Sequence, residues 1–162
     1  MRKLFLLLIS VVVLFAAPDP FVGTWKMDTG RSKFTRGDPS FMFATLLIES
    51  AGGGLKSTAS AADGDGLAND FTFNCALDGT PCKVIAATTM KGSSAVDTIF
   101  LRREDEHTII ATGTKDGKLV YTDRRVVSSD DKTLTVQRAG RTPDGRTYES
   151  TIVLTRFARS DQ

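Results

Sequence analysis

The sequence predicts an all-β protein, an antiparallel up-and-down β-barrel of nine or ten strands. Three observations carry that expectation. The chain holds 20 Thr among its 162 residues, together with many Val and Ile, residue types that suit a pleated, half-buried surface. Few stretches repeat apolar residues at helical spacing. Turn signals recur at short, even intervals: Gly52-Gly53-Gly54, Asp63 to Gly66, Asp78-Gly79, Lys91 to Ser94, Glu104 to Glu106, Asp116-Gly117, Ser128 to Asp131 and Pro143-Asp144-Gly145. Asp-Gly supplies the positive φ angles of tight hairpins. A flat meander of this length would expose two long edges, and closure into a barrel removes both. A β-sandwich is the alternative arrangement.

From the start of the chain, Arg2 and Lys3 precede an apolar run from Leu4 to Phe15, then Ala16 and Ala17. That is the layout of a secretory signal peptide over residues 1–17, with the barrel domain in 18–162. The run is short for a bilayer span, so no stable membrane insertion is expected once it is removed; an N-terminal anchor is the alternative. Of the 21 basic residues two lie in 1–17, leaving 19 against 19 acidic. A nucleic-acid binder would carry a basic excess, and this domain has none.

Strands are expected near 21–27, 41–50, 55–62, 67–76, 80–88, 96–103, 107–114, 118–128, 133–140 and 146–157. The polar segment 28–40, with Gly30, Gly37 and Pro39, is expected to cross one end of the barrel as a loop or short helix. A two-residue turn at Asp78-Gly79 sets Cys75 opposite Cys82 on neighbouring strands, within disulfide range. An even cysteine count in an exported chain points the same way. Two free, buried thiols are the alternative.

Several chemistries find no support. The lone His107 follows three acidic residues and reads as a solvated turn residue, so neither a zinc site, a haem site nor a serine triad has its ligands or base. Asp63-Gly64-Asp65-Gly66 departs from a calcium loop at Leu67 and in its glycine positions. No G-x-S-x-G elbow is present. No metal or cofactor is expected.

At Phe21-Val22-Gly23-Thr24-Trp25-Lys26 the chain resembles the opening of the calycin superfamily, the lipocalins and cellular fatty-acid-binding proteins, through the G-x-W motif of Gly23 and Trp25. The stretch Gly23 to Phe34 is also similar to exported bacterial lipocalin-like proteins. Lys118 to Val127, Thr133 to Val136 and Thr155-Arg156-Phe157 resemble the last three strands of a fatty-acid-binding protein. The resemblance implies that Trp25 packs across the closed end of the barrel under an Arg, Arg156 or Arg159. It also implies a carboxylate site: an inward Arg at Arg124 and an R-x-Y on the last strand. Arg156 matches that motif's Arg, with Ala158 in place of its Tyr, whereas Arg146-Thr147-Tyr148 is an intact R-x-Y lying earlier. Arg124 and Arg125 are adjacent, so one faces in and the other out. The inward one needs a partner, either a ligand anion or Asp123, Asp97 or Glu149.

The function expected is therefore an exported, monomeric, non-enzymatic carrier, periplasmic or extracellular. It would hold a small apolar or amphipathic molecule, such as a lipid, with Arg124, Arg156 and Tyr148 at the ligand. A periplasmic protein-binding module such as a protease inhibitor is the second reading, and a barrel isomerase or cyclase the third.

Overall fold

The structure is a computed structural model that describes residues 18–35, 41–63, 68–87, 96–142 and 145–157. The expected leader lies outside these residues. Eleven strands follow in order: β1 (Gly23–Met27), β2 (Lys33–Phe34), β3 (Phe41–Ala51), β4 (Gly54–Asp63), β5 (Ala68–Ala76), β6 (Asp78–Ala87), β7 (Thr98–Asp105), β8 (Thr108–Lys115), β9 (Lys118–Val127), β10 (Thr133–Arg141) and β11 (Thr147–Arg156). From β3 to β11 each strand pairs antiparallel with the next, β1 pairs with both β3 and β11 and so joins the ends of the sheet, and β2 pairs with β11. On one side Trp25 lies opposite Leu46 of β3, and on the other opposite Arg156 of β11. The sheet is a closed up-and-down barrel of ten long strands with β2 as an added stub, and the described residues contain no helix.

Period-two alternation explains the interior. On β8 the inward set is Ile109, Ala111 and Gly113; on β10 it is Leu134, Val136, Arg138 and Gly140. The described part of segment 28–40 does not cross an end of the barrel. Asp28 N–H donates to the Val153 carbonyl at 2.8 Å, and Val153 N–H donates to Ser32 Oγ at 3.0 Å. These bonds lay 28–35 along β11, where β2 pairs with Ser150 and Thr151. The polar side chains that suggested a solvated crossing instead supply caps for the edge of β11. Residues 36–40 lie outside the description.

Phe21 and Trp25 are buried in the core, 1 % and 0 % exposed. Trp25 Nε1 donates to the Phe21 carbonyl at 2.9 Å, and Asp19 forms an ion pair with Arg103. At the β5–β6 turn, Cys75 and Cys82 form a disulfide with their Cα atoms 5.3 Å apart. Phe73 is opposite Val84, the register expected with Cys75 facing Cys82; β6 already begins at Asp78, opposite Arg102 of β7, and the β5–β6 register shifts at Thr72. Because the closed loop is short, reduction is expected to remove about 2–3 kcal/mol, or roughly 5–10 °C of melting temperature. A calorimetric scan with and without reductant measures this, and no change would show that the bridge constrains nothing.

Candidate functional site

The strand registers set the inward side chains of β8 to β11 in rows. In the first, Gly113, Tyr121, Gly140 and Tyr148 lie side by side. A Cβ at Gly113 would meet the Tyr121 ring at 2.7 Å, and one at Gly140 would meet the Tyr148 ring at 2.5 Å. The glycines thus make room for two phenol rings laid flat against the wall. In the second row Ala111, Asp123, Arg138 and Ser150 are neighbours, and in the third Ile109, Arg125, Val136 and Ile152.

Asp123 is fully buried and holds the cluster together. Arg138 grips it with both prongs, Nε to Oδ1 at 2.7 Å and Nη2 to Oδ2 at 2.9 Å. Arg125 Nη2 adds a bond to Oδ2 at 3.1 Å. The Arg138 guanidinium also lies 4.2 Å from the centre of the Tyr121 ring, a cation–π contact. Burial pushes the Asp123 carboxyl up, but the charges and hydrogen bonds of Arg138 and Arg125 override it and hold the group below its ordinary value. Arg138 moves the other way: burial opposes its charge, and Asp123 more than compensates. Tyr121 is pushed up by burial and then by the Asp123 charge.

One donor is left over. Arg125 is 7 % exposed, and its Nε is buried with no hydrogen-bond partner. Such a group costs free energy unless a ligand or water meets it. A depression of about 520 Å³ lies at the β10–β11–β2 corner; it reaches Arg138 and Ser150 but is lined mostly by exposed residues such as Lys33, Gln137 and Glu149, and Arg125 does not line it.

The expected site residues separate on this geometry. Arg124 is exposed on the outer face, while Arg125 points inward, so the inward arginine is the other member of the pair. The reason is the strand phase: Tyr121, Asp123, Arg125 and Val127 share the buried face of β9. Of the carboxylates considered as partners, Asp123 is the one engaged. Asp97 instead accepts the Asp116 N–H at 2.8 Å, and Glu149 is exposed. Arg156 does not face the cluster. It is the cross-strand partner of Trp25, lies 4.2 Å from the indole centre, and gives its Nε, Nη1 and Nη2 to the carbonyls of Asp131, Val22 and Pro20. Gly23, at φ +146°, leaves the space that the Arg156 guanidinium fills. Residue 159, the other cation considered, lies outside the description. Tyr148 is buried at the start of β11, beside Gly140 and one row above Arg138. Arg138 was missed in the sequence. Its signal was the register across the Ser128 to Asp131 turn, which sets it opposite Asp123.

No protein-family model matches the chain, and no curated protein matches it. Among solved structures, zebrafish ileal bile acid-binding protein, determined in complex with cholic acid, is similar at 10 % identity and a TM-score of 0.48, over 86 % of this chain and 99 % of that chain.

Proposed function

We propose that this protein is an exported carrier that holds a small amphipathic anion inside the barrel, with Arg125 at the anionic end. One observation carries the reading: Arg125 is buried in the barrel with an unpartnered Nε, beside a cluster whose two arginines face one carboxylate. The cluster therefore has one positive charge in excess, and an anionic head group would supply both the charge and the acceptor. The apolar part of the ligand would pack against the partly buried side chains Phe71 and Val84. Export is supported by the leader-like residues 1–17 and by the disulfide, which persists in oxidising compartments. Two features weigh against the other readings. Residues 19–21 are tied down by Arg103, Arg156 and Trp25 instead of forming a free inhibitory arm. Both oxygens of Asp123 are occupied by arginine, so it offers no free base for an isomerase.

Displacement of anilinonaphthalene sulfonate by decanoate tests the proposal. Arg125→Gln is expected to weaken decanoate binding about tenfold or more, since a hydrogen bond to a charged group is worth about 1.5–3 kcal/mol and 1.4 kcal/mol is tenfold. Asp123 keeps both Arg138 bonds, so the variant should stay folded. Arg124→Ala, on the outer face, should bind as the wild type does. Failure of the wild type to bind either anion, or equal losses in the two variants, would overturn the reading.

A further inference from the structure

The carrier reading leaves the charge of the ligand open, and this inference rests on that reading. We infer that Asp123 is the specificity-determining residue of the site, limiting the head group to a single negative charge. Asp123 already occupies the place of a ligand carboxylate on Arg138. Its two oxygens receive Nε and Nη2 of one guanidinium at 2.7 and 2.9 Å, the fork-on-fork geometry by which arginine holds a bound acid. Among the described residues, Arg125 Nε is the fully buried side-chain donor without a partner.

The charges facing this point can be counted element by element among the described residues. From β9 come Tyr121, Asp123 and Arg125; from β10, Arg138; from β11, the Tyr148 phenol. The adjoining inward positions of β8 are Ile109, Ala111 and Gly113, none of them ionisable. Beyond Ile109 in the same row, Arg103 of β7 is charged, but its charge is met by Asp19 and cancels from the count. Two cations and one anion leave a single positive charge. A monoanion such as a carboxylate, sulfonate or sulfate ester neutralises it. A phosphate dianion would bury a second, unbalanced negative charge beside Asp123, where low dielectric magnifies the repulsion. Asp123 itself stays ionised across the neutral range, because its arginines hold its carboxyl below the ordinary value despite burial.

The test uses two probes with the same chain, decyl sulfonate and decyl phosphate, in the dye-displacement assay. The sulfonate carries one charge throughout, so it also reports any change in the protein. The phosphate passes from one charge to two with a second ionisation near pH 6. Between about pH 5 and about pH 8 the wild type should hold its sulfonate affinity and lose decyl phosphate affinity by about tenfold or more. At the upper pH, Asp123→Asn should reverse the preference, gaining about tenfold or more for the phosphate. If that variant does not fold, the wild-type pH series decides alone. Phosphate affinity that holds or rises with pH, while the sulfonate still binds, would overturn the role of Asp123 and leave the carrier standing. Failure of both probes to displace the dye would overturn the carrier and this inference together.

Discussion

Asp123→Ala is expected to lower the unfolding free energy by about 3–5 kcal/mol, because it leaves two buried guanidiniums without their counter-charge. Arg138 loses a two-pronged bond and Arg125 its only hydrogen bond to Asp123. Against a typical stability of about 5–15 kcal/mol, that is enough to move a urea midpoint far. The double variant Asp123→Ala/Arg138→Met should recover part of the loss, since it removes a stranded charge along with its partner. The pH dependence has a definite sign. The native Asp123 carboxyl lies below its unfolded value, so its contribution is complete above the unfolded value near pH 3.9. It fades as pH falls through the native value. The stability gap between wild type and variant should therefore be constant at neutral pH and narrow in acid. A gap under about 1 kcal/mol at neutral pH would mean that the arginines find other partners without Asp123.

Trp25→Ala should be comparably costly, at about 3–5 kcal/mol for emptying a fully buried aromatic site. The ring is 0 % exposed, and it does more than fill space. Its Nε1 donates to the Phe21 carbonyl, which ties down the buried Phe21, and its face supports the Arg156 guanidinium. Trp25→Phe keeps an aromatic face and loses the indole donor, so its cost should be smaller, about 1–3 kcal/mol, for the carbonyl left unpaired. Denaturant midpoints of the two variants separate the contributions. Equal midpoints would place all the energy in the hydrogen bond and none in the ring.

Much of the architecture could be read along the chain because it is local. Each expected strand lies within a few residues of an observed one. The ends agree to within one residue at Asp116-Gly117, where both residues have positive φ, whereas at Asp78-Gly79 the strand begins two residues earlier than expected. The disulfide was legible for the same reason, since a two-residue turn dictates which residues oppose each other. The pairing of Trp25 with an arginine came from resemblance, and the cross-strand register of β1 with β11 is what supplies Arg156.

The candidate site was only half legible. Tyr121 to Val127 alternates side chains of similar character on both faces, and its two adjacent arginines give no hydrophobic cue to the strand phase. A weaker cue was present: Asp123 and Arg125 are two apart and so share a face on which their charges offset, whereas Arg124 stands on the other face. The sequence by itself marked out the ten longer strands, though not the stub β2, together with the hairpin registers at the tight turns and the cysteine bridge, all set within a few residues of chain. Only the closed barrel decided which arginine faces inward, because burial of a whole strand face is settled by every strand packed behind it. The β9–β10 hairpin register then sets Arg138 opposite Asp123, where Arg125, two residues along β9, meets the same carboxylate and keeps a buried donor that nothing in the described structure meets.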